Sequence, residues 1–158
     1  QYLIQPGFPC RSRNYILKGA FRAFLYDAQA NEHTVNLAIE DWWITDFNSY
    51  IYQTPATLFV EALEASTVVQ LDHQLEQALL MQVPKFEKFF RILSQRALAA
   101  LHRRILTNLS QPAEERYAQF VKEHPDLAHR VPQYVLASYL GFSTEYLSKI
   151  RKKQRDKN

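Results

Sequence analysis

Glu145 and Lys149 stand four residues apart near the end of this 158-residue chain, with Thr144, Ser148 and Lys152 beside them. At that spacing a carboxylate, two hydroxyls and two ammonium groups share one face of a helix. Such a face can hydrogen-bond the base edges and phosphates of double-stranded DNA. A carboxylate is tolerated against a phosphate-rich duplex where it meets a donor such as the N4 amino group of cytosine. Downstream, residues 149–158 hold six Lys or Arg against one Asp, whereas residues 1–148 carry 13 basic and 15 acidic residues. The net charge of +3 therefore hides a polarised molecule. A charge run alone reads as a solvated helix end, but directly after a reading face Lys152, Lys153 and Arg155 fit a phosphate-contacting patch.

Such side chains need a rigid mount, and residues 133–150 describe one. Leu136, Leu140, Leu147 and Ile150 are its apolar positions, and Ala137 is small enough for two helices to cross closely. Gly141 suits a left-handed helix end, and Phe142 fills the angle that follows. Ser143 is a good N-cap and Glu145 complements the first turn of the second helix, although Tyr146 stands where a full capping box has Glu. The pattern is that of a helix-turn-helix, with an ordinary helical hairpin as the plain alternative.

Upstream, residues 1–72 read as short strands with turn signals about every ten residues: 15–17, 20–26 and 33–39, then a second pair at 58–63 and 67–71 after an irregular segment at 42–54. The pattern turns helical at Asp72 or His73. Pro84 starts a long helix through Leu109, with an apolar stripe at Phe86, Phe90, Leu93, Ala97, Ala100 and Arg104 or Leu101, widened by Phe89, Ile92 and Ile105. That surface is wide enough to pack on the strands and on a second copy of itself. Pro112 opens a further helix that ends at His124 and Pro125. The fold class expected is α+β: a jelly-roll-like β-roll over residues 1–83, a connecting and dimerising helix over 84–109, and a helix-turn-helix unit over 110–158. The chain opens directly in strand-like sequence without Met, so further residues are expected upstream.

This order resembles the Crp/Fnr family of bacterial transcription regulators. The likeness rests on the strand-turn-strand from Tyr15 to Phe24, the strand entry from Ala62 to Val68, and the helix pair from Val135 to Ile150. It looks most similar to short members of Bacteroidetes type, which carry a Glu-Asp-Trp-Trp segment such as Glu40 to Trp43. The family's additional N-terminal helix and strand, and the wing after its second helix, are not recognisable here. The resemblance implies a homodimer that binds double-stranded DNA, works with RNA polymerase and answers to an effector of unknown identity. It further implies that Glu145 accepts from cytosine and Lys149 donates to guanine, with Thr144 in place of a common Arg. Cyclic-nucleotide binders of the family hold the phosphate with a Gly-Glu turn and an Arg-Ser or Arg-Thr pair. Here residues 40–57 contain no Gly, and no Lys or Arg occurs between Arg22 and Lys85. A buried phosphate would lack compensation, so the roll is expected not to bind cAMP. Trp42, Trp43 and Phe47, with Tyr50 and Tyr52, fit either an apolar effector pocket or plain core.

The competing reading is a cupin-like, metal- or small-molecule-binding barrel whose helical tail binds protein. It lacks ligands, because His33 is the sole His among the first 72 residues. One cysteine, Cys10, excludes an internal disulfide and a Cys-based cluster, and no nucleophile motif surrounds it. No enzyme activity, metal or cofactor is expected, while His73, His102, His124 and His129 leave haem sensing open. There is no apolar run of membrane-spanning length and no leader-like segment, and a reducing cytoplasm is the expected location.

Overall fold

The chain folds as α+β. A computed structural model describes residues 1–156, so Lys157 and Asn158 of the basic tail lie outside the described residues. The N-terminal half holds strands β1 (Tyr2–Ile4), β2 (Ser12–Lys18), β3 (Phe21–Tyr26), β4 (Glu32–Ala38), β5 (Trp43–Ile44), β6 (Phe59–Ala62) and β7 (Thr67–Asp72), with helix α1 (Phe47–Tyr52) between β5 and β6. They form two antiparallel sheets, ordered β1-β6-β3-β4 and β5-β2-β7. Ile16 and Ile44 from one sheet join Phe21, Ala23 and Val60 from the other in one core, which the fully buried Tyr50 helps to fill. Gly19 at φ +108° makes the β2–β3 turn possible, since a Cβ there would lie 2.0 Å from the Ser66 hydroxyl.

Two expectations are corrected here. Segments 58–63 and 67–71 do form strands, but not a pair: β6 lies between β3 and β1, while β7 pairs with β2. Apolar alternation states which face of a strand is buried and leaves its neighbour unspecified. Segment 42–54 is not irregular, because β5 and α1 occupy it. Its organiser is the buried Asp46, whose carboxylate accepts from the amides of Ser49 at 3.1 Å, Thr57 at 2.8 Å and Leu58 at 3.0 Å.

The helices follow: α2 (His73–Gln82), α3 (Lys85–Ser110), α4 (Ala113–Glu123), α5 (Pro125–Arg130), α6 (Gln133–Leu140) and α7 (Thr144–Arg155). Asp72 caps α2 by accepting from the Gln74 amide at 2.8 Å. Pro125 does not simply end the helical run as expected; it is the first residue of α5, where its missing N–H costs nothing. The stripe expected on α3 is corrected as well. Phe90 alone on that helix is buried, and Arg104 leaves the stripe to reach β4. The apolar line open to solvent is Leu98, Leu101, Ile105 and Leu109, at steps of three and four.

The exposed edge of β4 is satisfied by the helices. Ser138 on α6 accepts from the Thr34 amide and donates to the Glu32 carbonyl, both at 2.8 Å. Arg104 donates to the carbonyl of Val35 and, at 3.0 Å, to that of Tyr139, with its guanidinium 4.0 Å from the Tyr139 ring centre. Leu37 of β4 belongs to the same core as Leu136, Leu147 and Ile150. Edge groups left open would invite another strand.

A second clamp joins α5 to the sheets. Arg130 donates to both Glu40 oxygens, at 2.7 and 2.9 Å, and to Glu64. The guanidinium, then the Gly19 amide, lowers the Glu40 carboxyl from its usual 4.5 to about 2. A carboxyl depressed in the folded state stabilises above its unfolded pKa, and that contribution disappears as pH falls through the folded value. Acid unfolding of the parent should therefore include a component between about pH 4.5 and 2 that Glu40→Gln removes. Chemical denaturation at stepped pH checks this, and parallel profiles for the two proteins would contradict it.

Candidate nucleic-acid interface

The α6–α7 pair is built by local rules. Gly141 ends α6 at φ +76°, with its amide donating to the Ser138 carbonyl at 3.2 Å and the Phe142 amide donating to Ala137 at 2.9 Å. Ser143 then starts α7 by accepting from the Tyr146 amide at 3.1 Å. Leu147 and Ile150 are buried against α6 and its neighbours, and this orients the rest of the helix.

Glu145, Lys149 and Lys152 consequently share an exposed strip. The Glu145 carboxyl is lowered by its own amide first, then by the Ser143 hydroxyl and the charge of Lys149, so it is ionised at neutral pH. Thr144 is half-buried at the margin of the strip. Ser148 is exposed but engaged, because its hydroxyl donates to the Thr144 carbonyl at 3.0 Å and accepts from Gln133 Nε2 at 2.5 Å. A hydroxyl whose proton is committed has only acceptor capacity left. Lys153 is directed to α4, where it contacts Glu114 at 2.9 Å, and that carboxylate raises its pKa. Sequence reasoning missed Gln133, which ties the start of α6 to the first turns of α7; no local signal marks a glutamine for that role.

Each of the three aromatic residues of the expected pocket has its own ring or cation partner. Trp42 is an edge contact of His124 at 5.7 Å, while Trp43 lies between Tyr15 at 5.2 Å and Phe90 at 5.6 Å. Phe47 is half-exposed, 5.3 Å below the Arg13 guanidinium. A cleft of about 420 Å³ near Gln1 and Leu63 and another of about 580 Å³ beside α7 are lined by other residues. Among the described residues no three His, Cys, Asp or Glu groups are placed to hold a metal ion, and no helix is long and apolar enough to cross a membrane.

Two antiparallel sheets followed by a long helix and a terminal helix pair make a fold that this chain shares with solved CRP/FNR-family regulators. The chain is similar in structure to FixK2 from Bradyrhizobium japonicum, with a TM-score of 0.80 at 16% identity over 99% of this chain and 81% of that one. The c-di-GMP-responsive global regulator CLP of Xanthomonas campestris gives a TM-score of 0.78 at 13% identity over 99% and 83%. A CRP/FNR-family transcriptional regulator of Thermus thermophilus gives 0.74 at 20% identity over 100% and 83%. At these identities the likeness is one of fold. No protein-family model matches the chain, and no curated protein matches it in sequence.

Proposed function

We propose that the protein is a sequence-specific, DNA-binding transcription regulator of Crp/Fnr type, acting as a homodimer, with a sensor roll that does not bind cAMP. The observation that carries this reading is the exposed Glu145-Lys149-Lys152 strip on a helix fixed by the Gly141 turn and the Ser143 cap, beside a concentrated positive charge. Residues 1–83 form the sensor, 84–109 the dimer helix and 110–158 the helix-turn-helix unit, with RNA polymerase as the downstream partner and a cytoplasmic site of action. Within the family the short Bacteroidetes type fits best. Titration of the full chain against duplex DNA tests the reading: affinity should fall steeply as salt rises, because phosphate contacts release counterions. Salt-independent binding, or none, would contradict it.

The uncovered Leu98-Leu101-Ile105-Leu109 line on α3 supports the dimer, since stable monomers rarely expose a contiguous apolar face of this kind. Light scattering at micromolar concentration should report a dimer, and Leu101→Glu a monomer with an unchanged circular dichroism spectrum. A monomeric parent would remove this part of the proposal.

Loss of cyclic-nucleotide binding is supported by what already occupies the roll. Tyr50 helps fill the space between the sheets, and the buried Arg22 is held by Glu32 at 2.5 Å and Glu61 at 2.6 Å. A phosphate would have to displace two carboxylates to reach it. Calorimetry with cAMP and cGMP should show no binding at micromolar concentration; a micromolar dissociation constant for either would overturn the inference.

A further inference from the structure

The side of α7 next to the exposed strip borders a cleft of about 580 Å³, with α4, α5 and the start of α6 as its other walls. Arg151, Arg155 and His129 line it together with Gln133, Ser148 and Gln154, and among the described residues no Asp or Glu does. Arg151 is anchored: its Nε donates to the Tyr117 hydroxyl at 3.0 Å and its Nη2 donates to the Ala128 carbonyl at 3.5 Å, while Nη1 has no partner among the described residues. His129 and Arg155 are exposed and have no hydrogen-bond or ion-pair partner among the described residues. Elsewhere on the chain the arginines near carboxylates are paired, as Arg13, Arg22 and Arg130 show. Here two guanidiniums and an imidazole line one concavity that no carboxylate of the described residues lines. Ser148 and Gln133 already spend their protons on Thr144 and on each other, so the donors left open are the Arg155 guanidinium, the His129 ring and Arg151 Nη1. Such donors complement a phosphate group, and guanidinium is the side chain whose geometry fits it best.

We propose that this cleft binds a phosphodiester of the DNA backbone flanking the half-site that α7 reads. The inference rests on the DNA-binding reading above and adds a second contact line to it, on the Thr144-Ser148-Arg151-Arg155 side of α7. Gln133 becomes a positioning residue that joins the reading strip to the cleft through Ser148. Backbone contacts of this kind set the register of a recognition helix without selecting sequence. The same chemistry could be supplied by a free phosphorylated ligand.

The test uses the full chain and the double variant His129→Gln/Arg155→Gln, whose side chains are exposed and whose melting temperature should match the parent. With duplexes of any sequence the variant should bind about tenfold more weakly near physiological salt, and its salt slope should be shallower by about one to two. The selected binding sequence should stay the same. A scan that replaces single backbone linkages by neutral methylphosphonate should find one that weakens the parent and leaves the variant unaffected. Inorganic phosphate, titrated in parallel, should move the NMR signals of the Gln133 and Gln154 side-chain amides. If the parent binds DNA and the variant binds equally well, the cleft proposal fails while the DNA-binding reading stands. A parent that binds no duplex but responds to inorganic phosphate would reverse this, refuting the DNA occupant and assigning the cleft to a free phosphorylated ligand. No response in either arm refutes the cleft outright.

Discussion

Arg13→Met should destabilise the protein by about 3–5 kcal/mol, because it strands a buried carboxylate. Arg13 and Glu76 are 9% and 3% exposed, and their Nε and Oε2 atoms are 2.8 Å apart as an ion pair rather than an aligned hydrogen bond. Tyr50 donates its hydroxyl to the same Glu76 oxygen at 2.8 Å, and burial, then that carboxylate, pushes its pKa up to about 12. The guanidinium also lies 4.9 Å from the Tyr50 ring centre and 5.0 Å from that of Phe90. One side chain thus connects β2, α1, α2 and α3. Methionine keeps the stem and the ring contacts but removes the charge that offsets Glu76. If the cost arises from the stranded carboxylate, Glu76→Gln in the same protein should recover most of it, since the amide still accepts from Tyr50. Urea denaturation of the parent, both single variants and the double variant gives the coupling directly. A single-variant cost below about 1 kcal/mol would show that the pair is dispensable.

Glu145→Ala and Lys149→Ala should change DNA binding in opposite ways. The Glu145 carboxylate repels every phosphate near it, and a base donor such as cytosine N4 is what makes it favourable. Its removal should relax selectivity at one base pair by about 1–3 kcal/mol while leaving non-specific affinity equal or greater. Under the proposed reading Lys149 donates to a base and attracts phosphate, so its loss should weaken the specific complex by a similar order. Lys152, on the outer end of the strip, should contact phosphate rather than a base, and neutralising it should lower affinity for all sequences and flatten its salt dependence. Lys153, paired with Glu114, should contribute less of that effect than its position in the sequence suggests. Anisotropy at several salt concentrations, on cognate and single-substituted duplexes, separates these patterns.

The parts legible in the sequence are those that local chemistry dictates. Gly141 and Ser143 are a helix end and a helix start wherever they fall between apolar repeats, and the structure gives them those conformations. Asp72 before an apolar run is likewise a cap on its own evidence. What stayed hidden depends on residues far apart in the chain. Arg104 reaches back 69 residues to Val35, and Arg130 reaches back 90 to Glu40. An arginine on a helix carries no mark of such a partner. The separation of β6 from β7 belongs to the same class, since strand partners follow from the whole sheet rather than from either strand. Phe47 and Trp43 are aromatic in a way that suits a pocket wall and a packing contact equally. In the structure Phe47 lies 5.3 Å from the Arg13 guanidinium and Trp43 meets Phe90 at 5.6 Å, contacts that no local sequence signal announces.

Sequence-specific recognition by a two-fold dimer can be read out by selecting binding sites from a random duplex library with the full chain. A two-fold dimer should select an inverted repeat whose half-site centres lie about one helical turn, or a multiple of it, apart. Glu145→Ala should lose selectivity at a single symmetric pair of positions within that repeat. Selection that enriches no sequence, or a motif that Glu145→Ala leaves unchanged, would contradict such recognition.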